Sequence, residues 1–266
     1  IFGTETNNYT SDGKDETGPR TGYGVNWRPS PATSIDGLVE HHNYGDTYDV
    51  KVNYRRPLSS YTFGTSRHIS TSFDTATSSQ GSYYYNLVSS SLISQYPDPI
   101  QRDQATRSVL KTLGITNNSS FGNFATNALF WDQRMDAGFS LIGVRHTLAV
   151  SGYLSNRDRI NGNGVTSSTD DFANNDHVKG RGWTVSLSHE LTPDAHLTGA
   201  LYWSNSTGTG GGPDQDTRDK GVTLGYSKKL SPKTTSSINF RHNSSTDSDS
   251  ANDYTENAVS AGLSHS

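Results

Sequence analysis

The run Trp183-Thr184-Val185-Ser186-Leu187-Ser188-His189-Glu190-Leu191-Thr192-Pro193-Asp194-Ala195-His196-Leu197-Thr198-Gly199-Ala200-Leu201-Tyr202-Trp203-Ser204 decides the fold. Trp183, Val185, Leu187 and Leu191 fall on one phase of a two-residue repeat, and Thr184, Ser186, Ser188 and Glu190 on the other. Pro193 then presets φ for a tight turn. Beyond it Leu197, Gly199, Leu201 and Trp203 oppose His196, Thr198, Ala200, Tyr202 and Ser204. A period of two belongs to an extended strand, whose side chains alternate between faces. The run therefore reads as a β-hairpin with one apolar face and one wet face.

The same pattern extends outward. In 144–157, Val144, Leu148, Val150 and Leu154 alternate with Arg145, Thr147, Ser151, Tyr153 and Arg157; in 48–55, Tyr48, Val50, Val52 and Tyr54 alternate with Asp49, Lys51, Asn53 and Arg55. Further Pro turns stand at Pro31, Pro57 and Pro232, and long polar stretches occupy 11–19, 159–180, 206–219 and 244–253. Strands are expected near 1–10, 20–28, 34–44, 47–55, 60–72, 124–138, 144–157, 181–191, 196–205, 221–230, 235–243 and 254–266, with a tight turn at Gly45-Asp46. Such strands either meet across the core of a soluble sandwich or face lipid in an outer-membrane barrel. If the Pro turns share one rim, the long loops share the other, and this alternation with an even strand count is the habit of bacterial outer-membrane barrels. Trp27, Tyr54, Tyr61, Trp131 and Trp203 then suit interfacial girdles; a sandwich would place them in its core.

Composition agrees with a polar interior. Only 30% of the 266 residues are hydrophobic, Ser, Thr and Asn supply about a third, and the net charge is −4. Soluble domains carry roughly 45 to 50% apolar residues with Gly counted, yet the aromatic residues run the whole length, which argues against disorder. With no Cys, disulfide scaffolds, thiolate metal sites and cysteine nucleophiles are excluded. No apolar run approaches the ~18 residues of a spanning helix, and the absence of basic runs excludes a nucleic-acid partner. The start at Ile1, with neither Met nor a signal peptide, is that of a processed protein or of part of a longer one.

Residues 74–122 interrupt the strands as an insertion. Within it, Asp98 can cap and Pro99 can open a helix over about 98–113, with Gly114 ending it and Ala105, Val109, Leu110 and Leu113 as its apolar stripe. Inside a barrel such a helix is a lumenal constriction or a cap; on a surface it is an ordered insertion.

The closing stretch Asp253-Tyr254-Thr255-Glu256-Asn257-Ala258-Val259-Ser260-Ala261-Gly262-Leu263-Ser264, the segment Asn127-Ala128-Leu129-Phe130-Trp131-Asp132-Gln133-Arg134 after the Pro-Asp-Pro helix start, and Gly143-Val144-Arg145-His146-Thr147-Leu148 together resemble the outer-membrane β-barrel proteins of exosortase (PEP-CTERM) exopolysaccharide systems. The likeness covers most of 20–266. His146 stands where that family has Asn, and the chain ends at Ser266 where the family ends in Phe. The resemblance implies a single all-β domain over 1–266, an antiparallel transmembrane outer-membrane β-barrel of about twelve or more strands with one helix-containing insertion. Strands ahead of Ile1 are expected, because family members run longer there.

The wet phase supplies the expected lumen lining: Asp49, Lys51, Asn53, Arg55, Asp132, Arg134, Asp136, Arg145, Tyr153, Arg157, Glu190, Tyr202, Lys229, Asn239 and Arg241. Mixed charges stay solvated in a water-filled lumen and tune selectivity; at any one position they equally well satisfy a neighbour across strands. Asp132 and Asp136 share a strand face, but nothing in the sequence marks either carboxyl as an acid catalyst, so no enzyme is expected. No cofactor or metal is expected either: His41 and His42 point to opposite faces, and the acidic series Asp247, Asp249, Asp253 and Glu256 lacks the turn Gly of a Ca²⁺ loop. The Gly210-Gly211-Gly212 run opens no helix and reads as a flexible connection. The expected role is a passive pore or assembly component for exopolysaccharide export in the bacterial outer membrane. Its expected partners are lipid and lipopolysaccharide, polysaccharide, and periplasmic export proteins or a lipoprotein. A plugged barrel anchoring a partner protein and a soluble secreted sandwich or adhesin are the alternatives.

Overall fold

In a computed structural model the described residues are 1–266 without 8, 10–14, 71–79, 94, 114–125, 127, 161–171 and 266. Twelve strands follow one another: β1 (Phe2–Asn7), β2 (Glu16–Ser30), β3 (Thr33–His42), β4 (Gly45–Arg55), β5 (Ser59–Ser70), β6 (Phe130–Ile142), β7 (His146–Arg159), β8 (His177–Thr192), β9 (Ala195–Thr209), β10 (Gln215–Ser231), β11 (Thr234–Asp247) and β12 (Tyr254–His265). Helices α1 (Gln80–Leu92) and α2 (Pro99–Thr112) lie between β5 and β6. Each strand pairs antiparallel with the next, in the order β1 to β12 within a single sheet, and among the described residues neither edge strand has a partner on its far side. This is the architecture of an outer-membrane β-barrel, and among the described residues there is no second sheet for a sandwich.

Register and exposure decide which face meets lipid. Val185, Leu201 and Val222 lie side by side on β8, β9 and β10, and Leu224, Phe240 and Val259 continue the row across β10, β11 and β12. These side chains are open: Leu201 is 43% exposed, Leu224 48% and Val259 74%. On the opposite face Ser140, Ser151 and Ser186 are nearly sealed, at 1%, 2% and 1%. A soluble protein encloses the first set and exposes the second; only hydrocarbon outside and water inside favour the reverse. The chain therefore belongs in the bacterial outer membrane.

The aromatic residues mark the two interfaces. Tyr61 touches Tyr54 and Phe139, with ring centroids 5.9 and 4.9 Å apart, near the rim of short turns. Trp183 and Trp203 pair across β8 and β9 toward the other rim, where Trp131 also sits. From Phe139 to Trp131 the strand climbs about 26 Å at roughly 3.3 Å per residue, which at the usual tilt gives a band close to the ~25 Å typical of such barrels.

Several boundaries differ from the sequence expectation, for one reason. The stretch 206–219 is mostly strand, since β9 reaches Thr209 and β10 begins at Gln215, and the first four residues of 244–253 are strand, since β11 runs to Asp247. Pairs such as Asp216↔Thr207 and Thr217↔Asp247 extend the ladder with polar side chains, because backbone pairing needs no apolar face once the strand has left the membrane. The tight turn falls at Asn43-Tyr44 rather than Gly45-Asp46; Gly45 opens β4 with φ +133°, a conformation that side chains resist.

The helices fill part of the concave side. Asp98 caps α2, accepting from the Ile100 and Gln101 amides at 2.7 and 3.2 Å, with Pro99 at the first position. The helix closes at Leu113, whose N–H donates to Val109 O; Gly114 lies outside the described residues. In α1, Tyr84, Leu87, Val88 and Leu92 bury one stripe against Ile142 and Ala149 of the wall and against Leu110 and Leu113 beyond. Tyr84 OH and Ser151 Oγ are 2.5 Å apart, and Ser60 Oγ and Ser90 Oγ 2.8 Å. The insertion leaves and rejoins the wall at the rim of long connections, yet α1 is pinned near the rim of short turns, so it crosses much of the lumen.

Neighbouring residues on the two faces will differ sharply. Leu224→Arg should cost about 2–4 kcal/mol of folding free energy in lipid vesicles, and Thr223→Arg, one residue away on the lumen face, less than about 1 kcal/mol. Equilibrium denaturant titration of the vesicle-refolded protein measures both; equal costs would contradict the assignment.

Candidate functional site

The lumen wall is built by the wet phase of the strands. On β4, Asp49, Lys51, Asn53 and Arg55 share the concave face, and Lys51 Nζ lies 2.9 Å from Asp49. On β6 and β7, Asp132 stands in register with Arg157 and Asp136 with Tyr153. Arg157 Nε is 3.5 Å from Asp132, Arg134 Nε is 3.7 Å from Asp136, and the Arg134 guanidinium lies 5.2 Å above the Tyr153 ring. On β9 and β11, Tyr202 OH donates to Asn243 at 3.3 Å, Arg241 pairs with Glu256, and Asn239 shares their face. Acids and bases thus alternate around the wall and largely neutralise each other locally.

One expected lining residue is misplaced. Arg145 lies in the exposed turn between β6 and β7, where its carbonyl accepts from the Glu190 amide and His189; the reversal needs residues 143–145, so β7 starts only at His146. Glu190 and Lys229 keep the predicted phase but sit exposed beside the short turns, at the mouth of the lumen.

The two tyrosines hold their places through glycines on the next strand. A Cβ on Gly182 would lie 2.7 Å from Tyr153 Cε1, and one on Gly221 would lie 2.2 Å from Tyr202 Cε1. Each ring therefore lies along the wall over bare backbone rather than standing out into the lumen. Arg134 covers Tyr153, which is 7% exposed, whereas Tyr202 remains partly open.

Two groups escaped sequence reasoning. The first is α1 itself, whose buried positions 84, 87, 88, 91 and 92 do carry helical spacing. It is clasped to α2 by Tyr85 OH, donating to Asp103 Oδ1 at 2.5 Å, and by the Arg107 guanidinium, 5.7 Å above the Tyr85 ring; within α2, Arg107 Nε donates to both Asp103 oxygens at 2.9 and 3.1 Å. Those hydrogen bonds, Arg107 first and Tyr85 second, hold the Asp103 carboxyl below its ordinary range. The second group is a cluster at the long-loop rim. Arg20 Nε and Nη2 donate to Glu40 at 2.9 and 2.5 Å, and Glu5 lies 2.9 Å from His42 Nδ1. Tyr44 stacks on His42 at 4.7 Å, and burial, reinforced by Glu5 and Tyr9, pushes its phenol up to about 12. His41 points the other way, to Asp46, as the alternation requires.

No protein-family model matches the chain, and no curated protein does. Solved structures are similar at low identity. A loop L8 deletion form of OmpT, an outer membrane protein of Vibrio cholerae, is 9% identical with a TM-score of 0.41, over 98% of this chain and 94% of that one. The unliganded ferric citrate transporter FecA is 11% identical with a TM-score of 0.42, over 92% of this chain and 38% of that one. A bacterial polysaccharide outer membrane secretin is 9% identical with a TM-score of 0.28, over 94% and 82%. These likenesses concern architecture alone and carry no binding or activity to this chain. One expectation is corrected, that the chain is not an enzyme: a barrel of the kind seen in OmpT is an architecture, and one fold hosts unrelated chemistries, so the exclusion is withdrawn.

Two outcomes follow from the geometry. Gly221→Ala should destabilise the barrel by about 1–3 kcal/mol by displacing the Tyr202 ring, and most of that cost should vanish in a Tyr202→Ala background, as a denaturant double-mutant cycle will report. Because the folded Asp103 carboxyl titrates below a free one, its share of the α1–α2 clasp is complete at neutral pH and is lost as pH falls through the folded value. Spin labels at Asn86 and Gln104 should therefore give a narrow distance distribution at neutral pH that broadens in acid, and Asp103→Asn should show the broad form already at neutral pH.

Proposed function

We propose that the protein is a constricted outer-membrane pore serving the passage or assembly of a secreted polysaccharide in an exosortase-type system. The carrying observation is the lumen: a hydrogen-bonding wall with α1 lying against it and a cavity left open beside the helix at the short-turn side. Between α1 and the wall of β2 to β5 an opening of about 660 Å³ remains, lined by Arg28, Asn53, Arg55, Ser60, Asn86 and Ser90 among others. Hydroxyl, amide and guanidinium groups of this kind exchange hydrogen bonds with sugar hydroxyls as a chain slides, and the partly open Tyr202 ring offers a face on which a sugar can stack. The resemblance of the closing strand and of Gly143–Leu148 to exosortase-associated barrels supplies the process. Movement through such a bore is passive, and delivery of polymer falls to periplasmic export proteins or a lipoprotein at the short-turn rim.

A second reading has its own support. The side chains of Leu87 and Val88 are fully enclosed, at 0% exposure, and a helix held this firmly suits a plugged barrel that anchors or sheathes a partner. Planar-bilayer recordings separate the two. A pore should show a small unitary conductance that rises several-fold when residues 80–113 are replaced by a short Gly-Ser linker, and neutral dextran should cause transient blockades. Electrical silence of the intact protein, with current only after the replacement, would favour the plug.

A further inference from the structure

The lipid-facing side carries a feature that no lumenal role uses. Toward the long-connection rim, beyond the Trp183–Trp203 pair, the exposed face turns abruptly from apolar to cationic. Lys179 and Arg181 on β8 and Arg218 and Lys220 on β10 share this face, with Asn205 of β9 between Arg181 and Arg218 in register and Trp203 beside Lys220. All four cations are exposed. Residues two apart on a strand lie about 6.6 Å apart and neighbouring strands about 4.8 Å, so the patch spans roughly 16 Å from Lys179 to Lys220, with Arg181 and Arg218 between them.

Their charges are mostly uncompensated. Arg218 lies 2.7 Å from Asp216, whose other oxygen is held by Asn205 at 2.5 Å and Thr207 at 3.1 Å. Among the described residues no ion pair involves Lys179, Arg181 or Lys220. Arg181 rests its guanidinium 5.5 Å above the Trp203 ring, which fixes the cation at the upper aromatic level. Lys179, Arg181, Asn205 and Thr207 also border a cleft of about 460 Å³ that reaches down to Met135 and Leu154, so one depression joins cations at the interface to an apolar floor within the band.

We infer that this cleft is a binding site for an anionic lipid of the outer leaflet, with Lys179 and Arg181 at its border and Lys220 on the same face beyond it holding the phosphate groups, and Met135 and Leu154 receiving the first part of an acyl chain. The chemistry selects the ligand. Phosphates are the abundant anions at this depth, Arg grips them in bidentate fashion and Lys as a point charge, and an acyl chain adds contacts with Met135 and Leu154 that an inorganic anion cannot make. Among the described residues the short-turn rim lacks the arrangement: Leu191, Leu197 and Leu230 border it directly, and Lys228 of β10 stands opposite Ala195 and Ser236. The two rims therefore differ in a way that matches the two leaflets.

Delipidated full-length protein in neutral detergent, titrated with diphosphorylated lipid A and followed by native mass spectrometry, tests the site. One tightly held lipid A per chain is expected, with at least tenfold weaker retention in Lys179→Gln/Arg181→Gln/Lys220→Gln, and with dephosphorylated lipid A held as weakly by the native protein as by the variant. A Met135→Asn/Leu154→Asn variant should also lose affinity, which separates a lipid site from a simple anion site. Equal retention by native and charge-stripped protein, equal retention of the dephosphorylated lipid, or full competition by millimolar inorganic phosphate would each overturn the inference. Circular dichroism and heat-modifiable gel mobility of the variants confirm that the wall still forms.

Discussion

In hydrocarbon every backbone N–H and C=O must find a partner within the protein, because no water is there to supply one. A meander of strands, each bonded to the next, meets that demand along its length and leaves only the side chains to negotiate with the surroundings. Alternation then divides them: Leu224 toward lipid, Thr223 toward water, and so on around the twelve strands. The low apolar content follows directly, since one face in two needs to be greasy and no enclosed core has to be filled.

The interior that results is polar, close-fitted and nearly neutral in detail. Asp132 with Arg157, Arg134 with Asp136, and Lys51 with Asp49 are short-range compensations that keep charges beside one another rather than exposing one sign to the bore. The larger cluster of apolar contacts in the interior lies where α1 meets the wall, a smaller one joins Phe130, Phe172 and Val178, and at the first the sequence reverts to familiar rules: an amphipathic helix, a capped successor, and a buried stripe running from Tyr84 to Leu113. The molecule thus combines an inverted shell with a small conventional core suspended inside it.

The strands were legible because alternation is local and survives in the chain itself. Their ends were not, because pairs such as Thr217↔Asp247 are set by register and carry no hydrophobic signature. Phase placed Asp49, Asp132, Arg157 and Tyr202 on the lumen side, but it could not tell that Arg145 would be consumed by the turn. Helix α1 left a readable spacing at 84, 87, 88, 91 and 92, hidden by Ser and Tyr neighbours that suggest a loop. The fit of Tyr202 over Gly221 joins residues from two strands, and without the register it has no sequence signal at all.

Strands β9 and β10, of 15 and 17 residues, are longer than the roughly 9–11 residues needed to cross. Their surplus stands above the bilayer as a hydrogen-bonded crest, joined by the short connection 210–214. A phage fibre or an antibody arriving from outside would therefore strike a stiff parapet. Evolution can repaint that crest residue by residue, but a single insertion within either strand would turn every position beyond it to the opposite face, so side-chain identity is free to drift there while length is not.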